Sequence, residues 1–146
     1  MSLKAVIAAL PILFPALAAG SLHPERDYQA LWCEAAGGEV EFVLPDRARV
    51  DCLTLTHAVE VDFAPKWAEA IGQALYYSLA TGKSPGILLI MEGRDDGRFL
   101  NRLMAVTDTV GITVWVTTQD DLPGRLPEKK AVSMGSGNTT GIQKKD

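Results

Sequence analysis

Two stretches in the middle of the chain decide the fold: Arg47-Ala48-Arg49-Val50-Asp51-Cys52 and Val59-Glu60-Val61-Asp62-Phe63. In both, polar and apolar residues alternate, the period of a strand with unlike faces. Arg47, Arg49 and Asp51 share one face of the first stretch. Glu60 and Asp62 share one face of the second, with Val59, Val61 and Phe63 on the other. If the strands pair, Asp51, Glu60 and Asp62 converge. Gathered carboxylates repel one another unless a cation neutralises them, and hard oxygen donors suit Mg²⁺ or Mn²⁺. The bland alternative is a solvated polar sheet face.

Reading outward, Glu39 to Leu44 alternates with Val40, Phe42 and Leu44 on one face, and Pro45-Asp46 marks a turn. The three strands make a meander. Ahead of it, Pro24 opens a helix with Ser21 or His23 near its cap, and Tyr28, Leu31, Trp32 and Ala35 recur at helical spacing until Gly37-Gly38. Behind it, Pro65 closes the third strand and Lys66 to Thr81 forms a helix stopped by Gly82. On that helix Trp67, Ile71, Ala74, Leu75 and Ser78 make a core-facing stripe. Lys66, Ala70, Gln73 and Tyr77 lie beside it, within an arc of roughly 60°. Gly86 to Met91 is an apolar run suited to a strand covered on both faces. Asp96 to Val110 is an amphipathic helix with Phe99, Leu100, Leu103, Met104 and Val106 as apolar members, and Ile112 to Thr117 is a last strand.

The chain has 146 residues, 47% hydrophobic and 22% charged, with net charge −4. That hydrophobic content excludes an intrinsically disordered chain, and the acidic balance argues against a charge-driven nucleic-acid coat. Two cysteines are too few for a disulfide scaffold or a four-ligand zinc site. Residues 1–19 read as a secretory signal peptide: Lys4, an apolar run broken by Pro11 and Pro15, then Ala16-Leu17-Ala18, with cleavage after Ala18. The run is shorter than the roughly 20 residues of a membrane span. The expected product is periplasmic or secreted, without stable membrane insertion after cleavage. Residues 120–146 read as a flexible tail, leaving 20–119 as the domain.

The order helix, three-stranded meander, helix, strand resembles the core of the PD-(D/E)XK nuclease superfamily. In that family an Asp ends one strand and Glu-x-Lys lies on the next; Asp51 and Glu60-Val61-Asp62 match in place. Gln73-Ala74-Leu75-Tyr76-Tyr77 is similar to the Gln-x-x-x-Tyr element of its RecB-like branch. The resemblance implies an α/β, restriction-endonuclease-like core, α-β-β-β-α-β-α-β, with a central mixed sheet flanked by helices. It also implies an acid on the first helix, for which Glu25 is preferred to Glu34. One position departs: the family lysine falls at Asp62. Either the lysine has moved to Lys66, on the face of Gln73 and Tyr77, or the site has lost it.

The implied activity is metal-assisted hydrolysis of phosphodiester bonds in nucleic acid, DNA in preference to RNA. Asp51 and Glu60, aided by Glu25 and Asp62, would hold Mg²⁺ or Mn²⁺, which would activate water and neutralise charge on phosphate. Lys66 would orient the water or stabilise that charge, and Gln73 and Tyr77 would position the site or touch the strand. Arg49 faces a phosphate oxygen or neutralises Asp51. Arg47, Arg94, Arg98 and Arg102 add basic groups despite the acidic total. Two alternatives stand beside the nuclease: a nuclease-like domain that binds nucleic acid or protein without catalysis, and a structural protein of the cell envelope.

Other polar residues read as structural. His57 has no partner histidine or cysteine at ligand spacing, His23 reads as a cap, and Trp32, Trp67 and Trp115 read as core. Cys33 and Cys52 face each other across the helix–sheet interface, either as a disulfide or as two buried thiols.

Overall fold

A computed structural model describes residues 21–123. The segment read as a signal peptide, 1–19, lies outside the described residues, as does the part of the expected 120–146 tail from 124 on; its first residues, 120 and 121, belong to a 3-10 turn. The chain is α/β: α1 (Glu25–Ala35), β1 (Glu39–Val43), β2 (Arg49–Leu53), β3 (His57–Phe63), α2 (Trp67–Thr81), β4 (Ser84–Met91), α3 (Gly97–Val110) and β5 (Thr113–Thr118), with 3-10 turns at Ala64–Lys66 and Gln119–Asp121. The five strands form one mixed sheet in the order β1-β2-β3-β4-β5. The meander β1-β2-β3 is antiparallel, and β3-β4-β5 is parallel. The parallel half follows from α2 and α3, each of which carries the chain back across the sheet.

Helices cover both faces. On one, Tyr28 and Cys33 of α1 pack with Cys52, Val59, Val61, Leu88 and Ile90. On the other, Ala70 and Ala74 of α2 and Leu103 of α3 pack on Ile87 and Leu89. The strands β3 and β4 are therefore buried on both sides, which explains the unbroken apolar run in β4. Glu60 and Asp62 share the α2 side of β3 and are buried along with it.

Three local expectations are corrected. Neither Ser21 nor His23 caps α1: Pro24 occupies the cap position, and the Leu22 and His23 backbone N–H groups donate to the Glu92 carboxylate. The buried side of α1 is Tyr28, Gln29 and Cys33, while Ala35 faces out. Leu75 is 40% exposed and does not join the α2 stripe; Ala70 and Ala74 lie on the sheet, where small side chains let the helix come close, and Tyr77 packs further along against Leu44, Val50 and Ala58. Past the boundary drawn at 119, Leu122 packs against the α1-side core.

Cys33 and Cys52 form a disulfide that ties α1 to β2. Gly38 lies against it: a Cβ there would sit 2.5 Å from the Cys52 Sγ and 2.9 Å from the Cys33 Sγ. Gly38→Ala should therefore cost about 1–3 kcal/mol by overpacking. Denaturant unfolding of the oxidised protein checks this, and an unchanged midpoint would reject the close approach.

A candidate carboxylate site on the diverging strands

The site begins where β2 leaves β3. Their ladder pairs Leu53 with Ala58 and Cys52 with Val59. One residue further, the Asp51 carboxylate accepts the Val61 N–H at 2.7 Å, in place of a strand carbonyl. The Asp51 carbonyl is taken instead by the Gln29 side-chain amide at 2.8 Å. Side chain thus replaces backbone on both sides of the split, and the Val61 N–H and the Asp51 carbonyl stay satisfied.

Into that split project Glu60 and Asp62, 4% and 3% exposed. The Gln73 Nε2 donates to Glu60 Oε1 at 2.6 Å, while Glu60 Oε2 is buried with no hydrogen-bond partner. Asp62 accepts its neighbour's Phe63 N–H at 2.8 Å and lies 3.3 Å from the Lys66 ammonium. With Glu25 and Tyr77, these side chains line a cavity of about 370 Å³. The structure thus brings together Glu25, Asp51, Glu60, Asp62, Lys66, Gln73 and Tyr77. Arg49 is elsewhere: its guanidinium is 3.4 Å from Glu41 and neutralises that carboxylate rather than Asp51.

The cluster is strained electrostatically. Burial, and then the charges of Asp51, Asp62 and Glu25, push the Glu60 pKa up to about 9. Glu25 rises to about 7, again by burial first and then by Asp62 and Asp51. Burial also raises Asp51 and Asp62, the latter opposed by Lys66. Lys66 is raised in turn by Asp62. Burial and the Glu60 charge lift the Tyr77 phenol.

The donor set suits a hard cation. It consists of carboxylate oxygens, and Glu60 Oε2 lacks a partner. Among the described residues no three Asp, Glu, His or Cys side chains already stand in a metal-holding arrangement. Asp51 and Asp62 are turned to Val61, Phe63 and Lys66, so holding a cation means exchanging some of those bonds.

Three residues of the site region were missed: Glu69, which lines the cavity from α2 and whose charge acts on Asp62 and Lys66, and two residues beside the cavity, Gln29 and Glu41. Gln29 stands four residues after Glu25 and four before Cys33, so i,i+4 spacing was the available signal. Glu41 accepts from Gln29 at 2.9 Å and raises the Asp51 pKa. Strand alternation put it on the polar face of β1, but its φ of 58°, rare for a side chain other than Gly or Asn, had no signal. His57 stands edge-on to Trp115, its ring nitrogens 2.8 Å from Thr56 Oγ1 and 3.2 Å from Thr113 Oγ1. Trp32 packs on Trp115, and Trp67 joins the α2-side core.

No protein-family model matches the chain, and neither a curated protein nor a solved structure matches it.

Proposed function

We propose that the protein is an exported, metal-dependent nuclease with a restriction-endonuclease-like core of the PD-(D/E)XK type. The observation that carries this reading is the shared cavity, in which carboxylates from α1, β2 and β3 meet the ammonium, amide and phenol of the next helix. Nothing but side-chain chemistry is asked of the chain. Asp51, Glu60 and Asp62 would hold Mg²⁺ or Mn²⁺, with Glu25 beside them. The ion, when bound, would lower the pKa of water and offset charge on the phosphate.

The protein's own residues have separable tasks. Gln73 fixes the rotamer of Glu60 through one oxygen and leaves the other to the cavity. Lys66 supplies the cation that the family keeps on the strand, delivered here by the first turn after it. Glu25 stands beside the proposed ligands; in the metal-free protein burial and the charges of Asp62 and Asp51 raise its pKa to about 7, and a bound cation would lower it again. Tyr77, kept protonated, can donate a hydrogen bond to phosphate.

A cleavage assay on DNA and RNA with Mg²⁺ or Mn²⁺ tests the reading. Lys66→Ala should slow cleavage about 10²–10³-fold, the usual effect of losing one group that stabilises developing charge. Wild-type rates in Asp51→Ala and Glu60→Ala would reject these residues as the site. Absence of cleavage together with salt-sensitive binding would leave a binding domain.

A further inference from the structure

A second cavity adjoins the carboxylate cluster and shares Lys66 with it. It has a volume of about 590 Å³ and opens at the C-terminal ends of β3 and β4, between Leu22, Phe63, Pro65, Lys66, Glu92 and Asp96. That end of parallel strands is where open α/β sheets bind ligands, and the volume lies within the roughly 300–1,000 Å³ of small-molecule sites. We propose that this cavity takes one unpaired nucleobase, so that the substrate of the neighbouring cluster is single-stranded nucleic acid. The inference rests on the nuclease reading and names its substrate class.

The chemistry of the walls selects the base over the phosphate. Leu22, Phe63 and Pro65 offer an apolar, partly aromatic surface, on which any base can stack. Glu92 and Asp96 repel a phosphate but accept hydrogen bonds from ring and exocyclic N–H groups. Both are held in place. Glu92 accepts from the Leu22 and His23 N–H groups and from the Tyr28 hydroxyl. Asp96 accepts the Glu92 and Gly93 N–H groups through one oxygen. Its other oxygen lies where Gly93 carries no side chain; a Cβ there would be 2.7 Å away.

The flanking charges fit the rest of a strand. Lys66 stands between the base cavity and the carboxylates, where the reacting phosphate belongs. On the far side, the loop after β4 leads to a hollow lined by Arg94, Asp95 and Arg98, where two guanidinium groups against one carboxylate leave a positive balance for a further phosphate. A base held in a duplex is stacked and paired, and cannot enter such a cavity without being flipped out. An unpaired strand meets no such cost.

Leu22 is 63% exposed, so Leu22→Trp can fill the cavity without disturbing the core. Binding of a labelled oligonucleotide, followed by fluorescence anisotropy in EDTA, is the readout. The single strand should bind more tightly than its blunt duplex. Leu22→Trp should weaken single-strand binding about tenfold, and so should one abasic residue at a single position along the strand. Arg98→Ala should weaken binding uniformly and reduce the salt slope by about 1. In Mg²⁺ the single strand should be cut at least about tenfold faster than the duplex. Affinity indifferent to Leu22→Trp and to the abasic residue, or equal cutting of both forms, overturns the base cavity. If the duplex is cut with full dependence on Asp51 and Glu60, the nuclease reading survives alone. If nothing is cut, the nuclease reading falls, and the base cavity stands or falls on the binding measured in EDTA.

Discussion

Glu60→Gln should abolish metal-dependent cleavage and yet make the metal-free protein more stable at alkaline pH. The loss of activity should be at least about 10²–10³-fold, since a ligand and its charge are both removed. The gain in stability follows from the proton balance. The Glu60 pKa rises from 4.5 when unfolded to about 9 when folded. Between those values the folded chain keeps a proton that the unfolded chain has released, so stability falls as pH rises through the window. Glutamine carries no such proton and keeps the acceptor that Gln73 uses. At pH 9 the variant should exceed the wild type by on the order of 1–4 kcal/mol, as when a poorly compensated buried charge is replaced. At pH 4.5 the two should be close. Urea unfolding in EDTA at both pH values measures this. A variant weaker than wild type at pH 9 would mean that Glu60 is well compensated. Mg²⁺ should stabilise the wild type most at the alkaline end, because it binds the deprotonated cluster.

The second large effect concerns the disulfide. Cys33 and Cys52 are 19 residues apart, and a loop of that size contributes about 3 kcal/mol by restricting the unfolded chain. The double variant Cys33→Ser/Cys52→Ser should lose that amount, and reduction of the intact protein should do the same. Activity should fall further than stability alone predicts at temperatures where the variant is still folded. The tied helix carries Glu25 to the cavity and Gln29 to the Asp51 carbonyl. Denaturant unfolding with and without reductant, paired with cleavage rates on the folded variant, separates the two losses. A stability loss below about 1 kcal/mol would show that packing alone holds α1 to the sheet.

The element order was legible because strand and helix periods differ and because Pro and Gly punctuate their ends. Gly82, with φ 68°, stops α2 where expected. Lys66 was legible from the helix period, which puts it on the face of Gln73 and Tyr77; its 3.3 Å contact with Asp62 was not. The errors share a cause. Arg49, Leu75 and Ala35 were assigned by period alone, but partners decide which polar group is neutralised and how closely a helix lies. Arg49 had two carboxylates on offer, and it pairs with Glu41, whose backbone inside β1 takes a left-handed conformation that the strand period does not foresee. The burial of Glu60 and Asp62 was also hidden: alternation separates two faces but does not show that α2 will cover the polar one.

Under the nuclease reading, the Lys66–Asp62 pair would make cation and substrate report on each other. In the metal-free protein the ammonium and Asp62 partly satisfy one another at 3.3 Å. Once Asp62 shares its charge with a divalent ion, that hold on Lys66 weakens and the ammonium is available to phosphate. A phosphate that draws Lys66 away leaves Asp62 freer for the ion in the same measure. Linkage then requires that each ligand tighten the other by one common factor. Under the nuclease reading the carboxylates and the lysine would work as an exchange, in which an ion and a phosphate each favour the other's binding.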